Sequence, residues 1–163
     1  EQLGAGELPR RVTHNGTKLN NVMLDADTHE AVCVIDLDTV MPGLAANDFG
    51  DLVRFGANTG AEDEKDLSKI GLSLENYSQL LQGFLDACGD ALTGAEVRSL
   101  PMGAKLMTLE CGVRFLTDYL MGDVYFHIRR PEHNLDRART QLKLVADMEN
   151  RWSDMLALTQ TAR

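Results

Sequence analysis

Apolar residues change their period along this chain. In the first third they fall in short runs, Val-Met-Leu at 22–24 and Ala-Val-Cys-Val-Ile at 31–35, set apart by polar stretches at 14–21 and 25–30. Two short β-rich runs around a polar turn predict a hairpin over 22–36, approached by a strand-like segment at 11–13. The Pro42-Gly43 pair marks the segment after Asp38 as a loop. Phe49, Leu52, Val53 and Phe55 predict a short buried helix within 48–58.

From residue 73 the period becomes helical. Tyr77, Leu80, Leu81, Phe84, Leu85 and Cys88 share one face of a helix over 73–87. Thr93 followed by Glu96 has capping-box spacing and opens a helix over 93–121, which Pro101 breaks or kinks. Its later part carries an apolar stripe, Leu106, Leu109, Val113, Leu116 and Leu120, expected in the core. Leu135, Ala138, Leu142, Val145, Met148, Trp152 and Met155 predict a last helix over 134–159 with a charged opposite side. The pattern specifies an α+β fold, mostly helical, with a small β-hairpin element plus four to five helices.

Composition narrows the class. The 163 residues suffice for a single domain, 1–163, that buries about 70% of its unfolded surface. A net charge of −9 argues against nucleic acid and anionic membrane as partners, because both require a basic face. No apolar run approaches the ~20 residues of a membrane span, and no basic-then-apolar leader precedes the first element. Cys33, Cys88 and Cys111 are odd in number and form no CxxC, so they read as buried free thiols of a cytoplasmic protein. Residues 1–10 read as a connector, and a first strong element that is already a polar site loop suggests a piece of something longer. The charge run at 62–69 reads as solvent-facing. His29, His127 and His133 lack metal-ligand spacing and read as surface or loop residues.

The candidate chemistry lies in the first third. His14-Asn-Gly-Thr-Lys-Leu-Asn-Asn21 has the spacing of a kinase catalytic loop, H-x-D-x-x-x-x-N, with glycine at the aspartate position. In such a loop the histidine is architectural, the aspartate accepts the substrate hydroxyl proton and the asparagine binds magnesium. Asp36 follows at a strand end, where such enzymes keep their main magnesium carboxylate. Hard oxygen ligands, one or two from the protein and the rest from phosphates and water, suit Mg²⁺.

The segments THNGTKLNN, AVCVIDLDTVMPG, DFGDLVRFGANT, GAKLMTLECGVRFLTDYLMGDVYF and HNLDRARTQ resemble the C-terminal lobe of the aminoglycoside phosphotransferase and choline kinase superfamily. Within it they are most similar to the bacterial N-acetylhexosamine 1-kinases. The resemblance covers nearly the whole chain. It implies a kinase-like C-terminal lobe, ATP as co-substrate, Mg²⁺, and phosphorylation of a sugar's anomeric hydroxyl. It also implies roles by position: Asn21 and Asp36 as magnesium ligands, Asp38 near a metal water, Lys18 at the γ-phosphate, and Arg114 and Tyr125 in the sugar pocket. Asp48 is expected to hydrogen-bond the catalytic loop, and the DFG at 48–50 is not the metal-binding DFG of protein kinases. Arg114 pairing with Asp118, and Tyr125 as a core residue, stay open beside those roles.

Two departures matter. Gly16 occupies the position of the catalytic aspartate, and no N-terminal lobe with its glycine-rich loop and phosphate-pairing lysine is present in the sequence. This chain by itself is therefore expected to be inactive, with self-association through the surface that would meet that lobe. Two other classes compete. A phosphotransferase-like module that binds without turnover fits Gly16. A haloacid-dehalogenase-type phosphatase fits the literal D-x-D-x-[TV] at 36–40, with Asp36 as nucleophile, and requires a parallel sheet.

Overall fold

The computed structural model describes residues 7–162. In chain order it has β1 (Arg11–Thr13), β2 (Val22–Leu24), β3 (Ala31–Val34), β4 (Met41–Gly43), α1 (Ala45–Gly56), α2 (Leu74–Cys88), α3 (Gly94–Leu120), α4 (His133–Asn150) and α5 (Trp152–Thr161). The fold is α+β and mostly helical, as the change of period predicts. β2 and β3 form the expected antiparallel hairpin, with Val22 opposite Val34 and Met23 opposite Cys33. Every residue of β3 is exposed, so the hairpin projects from the helical body. The segment after Asp38 is not all loop. Residues 41–43 pair antiparallel with β1, Val12 opposite Pro42. Proline is accommodated because a two-stranded sheet leaves one side of each strand without a ladder partner.

The helical body is built around α3. Its capping box is complete: the Thr93 hydroxyl accepts from the Glu96 N–H at 3.2 Å and the Glu96 carboxylate accepts from the Thr93 N–H at 2.7 Å. The same carboxylate takes both arms of Arg11, at 2.9 and 2.8 Å, and so ties β1 to the start of α3. These bonds, foremost that of Arg11, hold the Glu96 pKa down to about 2 against its burial. The helix continues through the buried Pro101 without interruption. Packing of that turn outweighs the one backbone bond that proline removes.

α1 crosses α3 at backbone contact. A β-carbon on Gly103 would meet the Ala46 carbonyl oxygen at 2.1 Å, and one on Gly50 would meet the Gly103 carbonyl at 2.4 Å. Phe49, on the same side of α1, packs edge-on to Tyr77 of α2 at 5.8 Å. Ser73 caps α2, accepting from the Asn76 N–H at 3.1 Å.

The face of α3 that is buried carries Gly103, Ala104, Thr108, Gly112 and Phe115. The Leu106–Leu120 stripe, expected in the core, points the other way, with Leu106, Val113 and Leu120 exposed. Helical spacing marks an apolar face but not which neighbours approach it, and close approach by α1 and α4 selects the side with small residues. The single last helix expected over 134–159 is two, divided at Arg151. The break lets α5 turn toward α2, where Thr159 meets the Tyr77 hydroxyl at 3.0 Å.

Three other expectations are corrected. Cys33 is exposed on β3, and Cys88 and Cys111 are half-buried. His133 is buried: its Nδ1 accepts from the Arg129 N–H at 3.1 Å and its Nε2 meets Asp63 at 3.0 Å. The charge run is only partly solvated, since Glu62 pairs with Arg54 at 3.0 Å and Asp63 with His133. A loop can be polar because it meets charged groups on the body, and sequence composition does not distinguish that from solvation. No helix among the described residues is long and apolar enough to cross a membrane.

Candidate functional site

The polar loop lies against the first turns of α1. The Asp48 carboxylate accepts from the His14 N–H at 2.9 Å and the Asn15 N–H at 2.7 Å, and the Thr17 hydroxyl donates to the Asp48 carbonyl. One turn later Asp51 accepts from the Lys18 N–H at 3.1 Å. Asp48 is therefore the fastener of the loop, and Asp51 a second one that the sequence reading missed. Their spacing of three on a helix with an apolar opposite side was the available signal. Asn15 holds φ 59 and Asp36 φ 66, left-handed conformations that cost a non-glycine residue energy and concentrate at functional sites.

Asn21 joins loop to strand end. Its amide donates to the Gly16 carbonyl and to Asp36 Oδ2, both at 2.8 Å. Both amide protons are spent, which leaves the Asn21 amide oxygen and the second Asp36 oxygen as hard donors on two residues in direct contact. That donor set fits Mg²⁺ shared with phosphates, two protein oxygens being a usual number. His14 Nε2 lies 3.1 Å from the Ile35 carbonyl, which acts only as acceptor and so places the ring proton on Nε2. Nδ1 is buried and, among the described residues, without a hydrogen-bond partner. A β-carbon on Gly16 would lie 3.5 Å from this Nδ1 and 3.5 Å from the Asn21 amide nitrogen, ordinary contact distances. The loop has room for a side chain where glycine stands.

Gly16, Lys18 and Asp36 border a cleft of about 500 Å³. Its walls are Asp51, Arg54 and Phe55 of α1, Met107, Glu110, Cys111, Arg114 and Phe115 of α3, Glu62, and Phe126, His127 and Arg129 with Arg137. Arg54 is buried and bonded to Asp51 at 2.8 Å and Glu62 at 3.0 Å. Burial opposes its charge, but Cys111, Asp51 and Glu62 around it outweigh this and hold its pKa above the ordinary arginine value. Burial pushes the neighbouring Cys111 thiol up to about 11, so it is a protonated wall and no nucleophile at neutral pH.

The far wall is organised by Asp118. Its carboxylate accepts from the Val124, Tyr125 and Phe126 N–H groups at 3.0, 2.8 and 2.9 Å and from the Asn134 amide at 2.8 Å. Burial raises its pKa, and these four donors together pull it below the ordinary aspartate value. Arg114 does not pair with Asp118. It lies 3.6 Å from Glu110 and stacks over the Tyr125 and Phe126 rings at 5.9 and 5.4 Å.

Of the residues that sequence reasoning selected, the structure brings His14, Gly16, Lys18, Asn21, Asp36, Asp48 and Arg114 around one cleft. It does not bring Asp38, which is exposed on the 3₁₀ turn Leu37–Thr39, or Tyr125, which is 74% exposed outside the cleft. Tyr125 is not a core residue either; Phe126 supplies the ring that faces inward. Arg54, Glu62 and Arg137 were missed, because nothing local distinguishes them from surface charge.

A mostly helical body with a hairpin that presents an asparagine and a carboxylate at the head of a cleft defines a kinase-like lobe. The comparison with known families agrees. Residues 1–82, just over half of the 163, match the phosphotransferase enzyme family (APH), and the chain belongs to that family.

Proposed function

We propose that this chain is the metal- and substrate-binding lobe of an ATP- and Mg²⁺-dependent small-molecule kinase of the cytoplasm that phosphorylates the anomeric hydroxyl of an N-acetylhexosamine. The observation that supports it best is the Asn21–Asp36 contact at 2.8 Å at the head of the cleft, beside the vacant side-chain position of Gly16. Asn21 and Asp36 would hold the magnesium, which neutralises charge on the transferred phosphoryl group when bound. Lys18 borders the same end of the cleft and adds positive charge there. His14 and Asp48 hold the loop in place.

The cleft also favours a neutral substrate within a family that includes aminoglycoside kinases. Lys18, Arg54, Arg114, Arg129 and Arg137 all border it. Asp36, Asp51, Glu62 and Glu110 border it too, so the lining carries no excess of acid of the kind a polycationic ligand requires, whereas a neutral sugar can use the guanidinium donors and the Glu62 and Glu110 acceptors for its hydroxyl and acetamido groups. A nucleotide-binding lobe belongs to the proposal, docking on the hairpin, where Met23, Leu24, Val32 and Val34 are exposed.

In phosphoryl transfer the sugar oxygen attacks the γ-phosphorus, its proton must leave, and ADP departs. Gly16 offers no acceptor for that proton. The chain as it stands therefore binds and positions more than it turns over, which is the non-catalytic reading in its mildest form. The phosphatase reading loses support, because the described residues form two antiparallel two-stranded sheets and no parallel one.

The test is ATP-dependent phosphorylation of N-acetylglucosamine, N-acetylgalactosamine and an aminoglycoside by a two-lobed protein carrying this chain with Gly16→Asp. Transfer to the hexosamine C1 hydroxyl is expected. Transfer to the aminoglycoside alone would overturn the substrate assignment, and no transfer to any sugar the kinase one.

A further inference from the structure

The outward stripe of α3 is not random exposure. Met102, Leu106, Leu109, Val113, Leu116 and Leu120 follow one another at spacings of four, three, four, three and four residues. That is the alternation of a and d positions in a heptad seam. Four of the six are between 43% and 74% exposed, in a chain one quarter charged. Leu109 and Leu116 are half-buried. α1 and α4 pack on the opposite, small-residue face, so among the described residues no element covers the seam.

We infer that this seam is the contact between two copies of the chain, with their α3 helices antiparallel about a two-fold axis. The spacing reads the same from either end. A two-fold axis therefore sets Met102 of one copy against Leu120 of the other, Leu106 against Leu116, and Leu109 against Val113. Every a position meets a d position, and both copies offer the same surface, as an isologous contact requires.

Flanking charge favours the arrangement at the ends of the seam rather than at its middle. Glu110 and Arg114, paired at 3.6 Å within one copy, border the seam near its midpoint. The axis passes beside residue 111 and sets Glu110 of one copy near Glu110 of the other, a repulsion that the Arg114 paired with each of them offsets. Arg98, exposed one turn before Met102, faces the last turn of the other copy's α3. The carbonyl dipoles there are negative, and Asp123 follows directly. This surface is separate from the hairpin face assigned above to a nucleotide-binding lobe, and the inference does not rest on the phosphotransferase reading. Glu110 and Arg114 also border the cleft, so the second copy lies beside the wall of the proposed sugar site.

The seam covers 19 residues, fewer than three heptads, so the dimer is weak, with a dissociation constant in roughly the micromolar range. Sedimentation of the 163-residue protein from about 1 to 500 μM should show monomer passing to dimer. Leu106→Glu with Val113→Lys should raise the dissociation constant by about 100-fold or more, because each places a charge in the dry seam of the other copy. Val32→Glu on the hairpin should leave it unchanged. A second measurement does not depend on that double variant. In a Cys33→Ser background, Leu109→Cys and Val113→Cys proteins should cross-link when mixed and not when oxidised separately. A monomer at every concentration overturns the inference, as does a dimer that Val32→Glu abolishes and the seam variant does not. Cross-linking of either single variant with itself but not with the other overturns the antiparallel arrangement.

Discussion

On the proposed function, Gly16 is the residue on which turnover would depend. An anomeric hydroxyl must lose its proton during attack, and a positioned carboxylate contributes about 10²–10⁴-fold to such a step. The geometry admits that carboxylate, since a β-carbon at Gly16 makes contacts of 3.5 Å and no closer. In a two-lobed protein, Gly16→Asp is expected to raise the rate of sugar phosphorylation by about two orders of magnitude or more, measured as ADP release. Equal rates for both forms would show that the proton goes elsewhere. Asp36→Ala is expected to abolish that activity and the Mg²⁺ dependence of nucleotide binding, read by calorimetry. Asp38→Asn should cost far less, because Asp38 is exposed and does not line the cleft.

Among elements, the two ends of α3 behave as opposite anchors. At its start Glu96 completes the capping box and holds Arg11. Its folded pKa, about 2, lies below the ordinary 4.5. The stabilisation is therefore complete above about pH 4.5 and is lost as pH falls toward 2. Glu96→Gln should remove roughly 2 kcal/mol at pH 7, the usual worth of hydrogen bonds to a charged group, and flatten the acid limb of a melting-temperature profile. At its far end Asp118 collects three backbone N–H groups of 124–126. Asp118→Asn turns one acceptor oxygen into a donor facing donors. It is expected to cost roughly 1–3 kcal/mol and to speed hydrogen exchange of those three amides. Phe126 would leave the cleft wall with them.

For the molecule as a whole, the α1–α3 crossing decides whether loop and cleft wall meet. α1 carries Asp48 and Asp51, which hold the loop, and α3 carries the wall with Cys111 and Phe115. Gly103→Ala would place a methyl group 2.1 Å from the Ala46 carbonyl oxygen, backbone that can yield only by moving α1. A loss of about 1–3 kcal/mol is expected in denaturant unfolding. Gly83→Ala, where a β-carbon meets nothing within 4 Å on the outside of α2, should instead be stabilising by a few tenths of a kcal/mol or more.

Local chemistry made much of this readable in the chain itself. The hairpin followed from two β-rich runs around a polar turn, α2 from its apolar period, and the start of α3 from the capping box at Thr93, because caps and turns act over three or four residues. The loop residues His14 and Asn21 and the strand-end Asp36 could be singled out by their spacing, and the structure places Asn21 against both the Gly16 carbonyl and Asp36. The tertiary structure alone decided which face of α3 is buried, that Arg151 divides the last helix, and that Arg54, Glu62 and Arg137 meet in the cleft. Each depends on residues far apart in sequence. The period of a helix states that it has an apolar side, but only the close approach allowed at Gly50 and Gly103 states where its neighbours lie.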